Sequence, residues 1–154
     1  MTEILNKVVV IYTDGACSGN PGIGGWGAVL IYGENTREIY GGSRNTTNNQ
    51  MELTAAIKAL EALKYRCRVE LYTDSQYIKR GMCEWLKVWE TNGWKNSKKQ
   101  VVANLELWQR LNSLVKLHSV SWFWVKGHGD SEMNNLADRL AKKWIGENKK
   151  FGGE

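Results

Sequence analysis

Short β-favouring runs dominate the first part of the chain, and helical periodicity takes over after them. Lys7 to Asp14 is rich in valine and isoleucine, Trp26 to Tyr32 reads as a second strand, and Arg37 to Gly42 as a third, weaker one. Gly33-Glu34-Asn35 is a turn signal, so these three strands predict an antiparallel meander. Thr47 to Lys64 follows a helical period and Val69 to Thr73 returns as a strand, which predicts a right-handed crossover to a strand parallel with the first. A helical stretch from Gln76 to Arg80 meets a kink or break at Gly81 and resumes from Met82 to Glu90. Leu107, Trp108, Leu111, Leu114 and Val115 recur at helical spacing between Asn104 and Lys116. Ser119 to Val125 is the last strand, on a weak period, and Met133, Leu136, Ala137, Leu140, Ala141 and Trp144 define a closing helix. The polar tail from Gly146 to Glu154 reads as frayed, leaving an ordered core from about residue 7 to 145.

The same pattern places three acids. Tyr-Thr-Asp occurs twice, as Tyr12-Thr13-Asp14 and Tyr72-Thr73-Asp74, each closing a strand. Asp14 and Asp74 therefore tip neighbouring parallel strands at their carboxyl ends, where open α/β sheets form ligand crevices. On the helix between them, Ala55, Ala56, Ala59, Leu60 and Leu63 form one apolar arc and Thr54, Lys58 and Glu61 the opposite side. Glu52 falls inside the apolar arc. An unpaired carboxylate there either holds a proton or costs on the order of several kcal/mol, so something positive must meet it. Thr47 followed by Gln50 matches a capping box and explains the helix start. Asp138 lies at the margin of the closing helix's apolar stripe, the position of an ordinary surface acid.

Composition narrows the setting. The chain has 154 residues, of which 42% are hydrophobic, enough for a single domain with one core. No uninterrupted apolar run reaches the ~20 residues a membrane helix needs, and Met1 to Asn6 lacks a signal-like pattern, so a cytoplasmic protein is expected. Cys17, Cys67 and Cys83 are scattered and predict three free thiols. The formal charge of +5 favours a polyanionic partner. Lys79, Arg80, Lys87, Lys95, Lys98 and Lys99 cluster against only Glu84 and Glu90, with Trp85, Trp89 and Trp94 interleaved. Cations beside flat rings suit phosphate neutralisation with contact to sugars or bases. For Trp85 and Trp89, four apart on one helix face, a core-facing role fits equally well; Trp94, after Gly93, reads as the more exposed ring.

These motifs together resemble bacterial ribonuclease H of type 1, from Val8 to about Trp144. The resemblance rests on Tyr12-Thr13-Asp14-Gly15-Ala16 with Gly19-Asn20-Pro21-Gly22, on Thr46-Thr47-Asn48-Asn49 with Met51-Glu52-Leu53, and on Thr73-Asp74-Ser75-Gln76-Tyr77. Gly93-Trp94-Lys95, Asn104 with Leu107-Trp108, Val125-Lys126-Gly127-His128, and Asn134 with Ala137-Asp138 complete it. It implies a ribonuclease H-like α/β fold: a five-stranded mixed sheet, with strands 1–3 an antiparallel meander and strands 4 and 5 parallel to strand 1, flanked by helices. It implies an endonuclease that hydrolyses the RNA strand of RNA/DNA hybrids, leaving 5′-phosphate and 3′-hydroxyl ends, and acting as a monomer. Asp14, Glu52, Asp74 and Asp138 match the family's metal-binding carboxylates, and His128 its mobile-loop histidine, associated with proton transfer or product departure. The resemblance assigns RNA 2′-hydroxyl contacts to Asn48, Gln76 and the backbone near Cys17 and Ser18. It assigns DNA phosphate contacts to Asn20, Thr47 and Asn104, and DNA-groove contacts to Asn49 and Trp85; Trp89, Trp94 and Lys95 belong to the substrate-binding handle.

The chemistry agrees with that assignment. Phosphodiester hydrolysis needs a more acidic water, stabilised phosphoryl oxygens and a stabilised leaving alkoxide, and two divalent cations ~4 Å apart serve all three. Carboxylates without thiolates or histidine pairs suit Mg2+ better than zinc, with Mn2+ as a substitute. The chain departs from the family at Glu90-Thr91-Asn92, where consecutive basic residues are usual, and at Gly129-Asp130-Ser131-Glu132-Met133, which lacks the usual proline and glutamate. Gln50 and Asn45 flank the Thr-Thr-Asn-Asn block in place of an arginine. Gly22-Ile23-Gly24-Gly25-Trp26-Gly27 satisfies a dinucleotide-binding pattern, but it leads into a strand where that motif requires a helix. A catalytically silent hybrid-binding module is the remaining alternative. It leaves the inward direction of Glu52 unexplained.

Overall fold

The structure, a computed structural model, describes residues 8–126 and 131–152. Strands β1 (Val8–Gly19), β2 (Gly22–Tyr32), β3 (Asn35–Thr46), β4 (Arg68–Thr73) and β5 (Ser119–Trp124) form one sheet in the order β3-β2-β1-β4-β5. The meander is antiparallel, and β4 pairs parallel with both β1 and β5, as the sequence predicts. Helices α1 (Asn48–Glu61), α2 (Gln76–Arg80), α3 (Leu86–Asn92), α4 (Leu105–Leu117) and α5 (Glu132–Gly152) flank it.

Strand alternation divides the two faces. Val9 and Ile11 of β1 and Val69 and Leu71 of β4 point to one side, where they meet Leu53, Ala56 and Leu60 of α1 and Trp108, Leu111 and Leu114 of α4. Each such aliphatic side chain contributes about 1.5–3 kcal/mol on burial. On the other side Ala137 and Leu140 of α5 cover Val29.

Two differences from the sequence reading concern this second layer. Strands β2 and β3 are longer than expected, and glycines of β2 are sites of close approach. A Cβ on Gly25 would sit 2.1 Å from the Ala141 carbonyl oxygen, and one on Gly27 2.4 Å from that of Ala137. The glycine run is the seat of α5. That helix also continues to Gly152, so the polar tail is helical well beyond the point where fraying is expected. Contacts with β3 hold the extension: the Tyr40 hydroxyl donates to the Glu147 carboxylate at 2.9 Å, and Lys143 lies 5.0 Å above the Tyr40 ring.

Gly81 opens a π turn, Gly81–Trp85, that joins α2 to α3 without breaking the helical path. A Cβ there would lie 2.0 Å from the Trp108 ring, so the missing side chain lets the turn rest on that indole. Trp94 is half-buried, 6.0 Å from Trp89 and packed against the main core, which corrects the expectation of an exposed ring. Its neighbour Gly93 terminates α3 in a left-handed conformation and turns the chain back on itself. All three cysteines are free thiols. Among the described residues no helix is long and apolar enough to cross a membrane.

Candidate functional site

Register delivers the first pair of acids. Tyr12 of β1 is the partner of Tyr72 of β4, so Asp14 and Asp74, two residues further on, lie side by side on one face where that parallel pairing ends. The strand itself does not end at Asp14 as expected but runs on to Gly19, with Asp14 paired to Gly27 of β2. Gly15 then brings α1 against β1: a Cβ there would fall 2.5 Å from the Glu52 backbone nitrogen. This close approach lets the Gly15 N–H serve two carboxylates, Glu52 Oε1 at 2.6 Å and Asp14 Oδ1 at 2.9 Å. Asp14, Glu52 and Asp74 each offer an oxygen within 4.8 Å of the others. Asp14 is 7% exposed and Glu52 5%.

Such crowding has a cost. Burial, then the Glu52 charge, raises the Asp14 carboxyl well above its ordinary range, and burial likewise raises Glu52. The Ser75 hydroxyl and the Gly15 N–H partly relieve Glu52. Among the described residues, no ion pair reaches any of the three. The expectation that something positive must meet Glu52 is therefore unmet by the protein's own side chains.

These acids floor a cleft of about 360 Å³ whose walls are amides and hydroxyls: Asn48 and Asn49 from α1, Ser75, Gln76 and Tyr77 at the start of α2, and Asn134 and Asn135 at the start of α5. Among the described residues no lysine or arginine lines it. Asp138 also lines the cleft but stands apart from the triad, its carboxylate 3.0 Å from Lys142 in a partly exposed i,i+4 pair. The donor chemistry fits a hard cation that keeps some of its water: clustered carboxylates, neutral amides around them, and, among the described residues, no thiolate or imidazole in the lining. His128 and Asp130 lie outside the described residues.

Of the other sequence candidates, Asn20, Thr47, Cys17, Ser18 and Asn104 are not in the cleft's lining. Thr47 caps α1, its hydroxyl accepting from the Gln50 N–H at 3.1 Å, and Asn20 Oδ1 accepts from the Asn48 N–H. Cys17 is half-buried, its thiol donating to the Thr46 carbonyl at 3.4 Å, and Ser18 is exposed. Asn104, left-handed at φ 58°, is held from both ends of its amide: Gln50 Nε2 donates to its Oδ1 at 3.1 Å, and its own Nδ2 donates to the Tyr77 hydroxyl at 3.0 Å. Tyr77 borders a second hollow of about 530 Å³, lined by Trp85, Trp89 and Lys95. Trp94 lies behind this hollow, against Trp89, and is not in its lining. Trp85 and Trp89 thus do both things the sequence allows, packing against the core and facing a hollow.

Ser75, Tyr77, Asn134 and Asn135 line the cleft although no role was assigned to them from sequence, where Ser75, Tyr77 and Asn134 appear only as motif residues. Ser75 carries a readable signal, because its side chain caps α2 by accepting from the Ile78 N–H at 3.1 Å. Asn134 stands in a motif that carries the resemblance, whereas Asn135 carries no signal, since an asparagine in a helix's first turn is ordinary.

The RNase H family model matches residues 6–145. The chain belongs to the RNase H family. A ribonuclease H from Bradyrhizobium diazoefficiens is 59% identical over 145 residues, covering 94% of this chain and 93% of the relative. A ribonuclease H from Legionella pneumophila strain Lens is 57% identical, covering 90% and 97%. Among solved RNase H structures, LC9-RNase H1, a type 1 RNase H with the type 2 active-site motif, superposes with a TM-score of 0.82 at 34% identity, covering 92% of this chain and 73% of that one. LC11-RNase H1, solved in complex with an RNA/DNA hybrid, gives 0.67 at 26% identity, covering 90% and 97%. The RNase H sheet order and the clustered acids are therefore features of one recognised fold in this chain.

Proposed function

We propose that this protein is a magnesium-dependent endonuclease that hydrolyses the RNA strand of RNA/DNA hybrids, leaving 5′-phosphate and 3′-hydroxyl ends. The observation that carries the reading is the meeting of Asp14, Glu52 and Asp74, oxygens within 4.8 Å, at the bottom of a cleft whose described lining has no cationic side chain. Asp14, Glu52 and Asp74 would hold two Mg2+ ions, with Mn2+ as a substitute. Asp138 would exchange its Lys142 pair to help hold them. That exchange is inexpensive, because an exposed i,i+4 pair is worth only about 0.3–0.5 kcal/mol. When bound, the pair of ions supplies an acidified water and stabilises charge on the phosphoryl and leaving oxygens.

The chain's own groups do the rest. The amides of Asn48 and Gln76 face the cleft and can both donate to and accept from 2′-hydroxyls, the groups that distinguish RNA from DNA. Backbone groups near Cys17 and Ser18 join them. Asn20, Thr47 and Asn104 grip DNA phosphates, and Asn49, Trp85, Trp89, Trp94 and Lys95 belong to the DNA-facing surface. His128 assists proton transfer or product departure. A single domain acting as a monomer suffices, since every one of these groups comes from one chain, and the cytoplasm is its expected compartment.

The competing reading, a catalytically silent hybrid-binding module, explains the basic tryptophan region but not two buried, unpaired carboxylates. The test is cleavage of a hybrid labelled on either strand, compared with duplex DNA and single-stranded RNA, with Mg2+ or with chelator. New RNA ends only with hybrid and Mg2+ support the proposal; binding without new ends supports the module.

A further inference from the structure

Among the described residues, two buried side-chain polar atoms lack any hydrogen-bond partner: Thr13 Oγ1 and Asn134 Oδ1. Thr13 alternates with Asp14 along β1 and so faces the opposite side of the sheet, away from the cleft. Asn134 is different. It lines the cleft opposite Asp14 and Asp74, is 2% exposed, and sits in the first turn of α5, one helical turn before Asp138. Its backbone N–H is already satisfied by the Ser131 hydroxyl at 3.1 Å, so helix initiation does not require its side chain.

A buried amide oxygen without a donor is costly to the fold, and among the described residues none donates to this one. Water carried by a bound cation can supply that donor. A hard divalent cation keeps several of its waters, and those waters are strong donors whose orientation is set by acceptors just outside the coordination sphere. Asn134 offers such an acceptor, neutral and therefore free of the repulsion a fifth carboxylate would add.

We propose that Asn134 is a positioning residue whose Oδ1 accepts a hydrogen bond from water bound to a divalent cation held by Asp14, Glu52 and Asp74. The role rests on the metal site proposed above. Asn134 is not itself a metal ligand, and α5 thereby contributes twice to the cleft, through Asp138 and through this amide. The apolar replacement Asn134→Leu, of similar size, removes the orphaned acceptor and leaves the metal-free fold as stable or more so. The same replacement removes the anchor for the bound water.

Calorimetric titration of Mn2+ into the full chain reads this without any turnover. Wild type binds; Asn134→Leu binds about tenfold more weakly, a loss typical of removing an outer partner of a metal site; Asn134→Asp, which retains an acceptor oxygen in the same place, binds at least as tightly as wild type. In the hybrid assay Asn134→Leu lowers kcat with little change in KM. An Asn134→Leu affinity within twofold of wild type overturns the inference, as does weakened binding by Asn134→Asp or an unaltered affinity with a lower metal-free melting temperature. Failure of wild type to bind Mn2+ sinks the metal site itself and this role with it.

Discussion

Burial sets the acid–base behaviour of Asp14 and Glu52 when no cation is present. Both carboxyls are raised, so the folded protein binds protons more tightly than the unfolded chain. Their favourable contribution is complete below the unfolded value near ~4 and is lost as pH climbs through the raised folded values. In chelator, Asp14→Asn is therefore expected to be more stable than wild type by more than about 1 kcal/mol at pH 7.5, with the gap closing toward pH 4. Denaturation midpoints across that range check it, and a less stable variant at neutral pH contradicts it. With Mg2+ and hybrid, the same variant is expected to lose on the order of 100-fold or more of its activity, beyond the loss for an outer partner of a metal. His118 behaves with the opposite sign. Its Nδ1 accepts the Cys67 N–H at 3.0 Å, and burial, followed by Arg66, lowers its pKa. Stability tied to the neutral ring is present above about pH 6.5 and lost as pH falls from there through the lowered folded value. Replacing it in His118→Gln should flatten this portion of the stability–pH curve; an unchanged slope would refute the assignment.

How α5 seats on β2 explains why some elements were readable in the sequence and others were not. Glu52 declared its direction because helical periodicity is local: apolar neighbours on the same helix define the arc it falls in. Asp14 and Asp74 declared theirs because each ends a β-favouring run. The glycines at 24 and 25 fall outside the strand expected from sequence, since the reason for the run is the backbone of α5, far along the chain, against Gly25 and Gly27. Trp94 follows a glycine and reads as exposed, yet Trp89 covers it from across the same turn. Asp138 sits at the edge of its helix's apolar stripe, so periodicity is silent about the cleft it lines, and resemblance alone pointed there. A Gly25→Ala variant tests the seating directly. Its extra methyl must move α5, and a loss of about 1–3 kcal/mol is expected from the urea midpoint, typical of overpacking. A change under about 0.5 kcal/mol would mean the helix is not held by this contact.

Across the whole molecule, charge is separated: an acidic cleft at the strand ends and a cationic, tryptophan-rich region beyond Tyr77. Tyr77 borders both hollows, so one substrate can cross from carboxylates to lysines without leaving the surface. The tryptophan-rich region also carries acids, and Glu90 is tied to Lys116 of α4, an exposed pair that positions rather than stabilises. Losing a phosphate contact in Lys95→Ala should weaken hybrid binding about equally for all sequences and reduce the salt slope by about 1. An unchanged slope would place Lys95 off the phosphate path. The account as a whole depends on the three buried acids sharing cations, and an anomalous difference map from a crystal soaked in Mn2+ shows this most directly. Density between the Asp14, Glu52 and Asp74 oxygens is the predicted result; Mn2+ bound only elsewhere, with those carboxyls left as a protonated cluster, would contradict it.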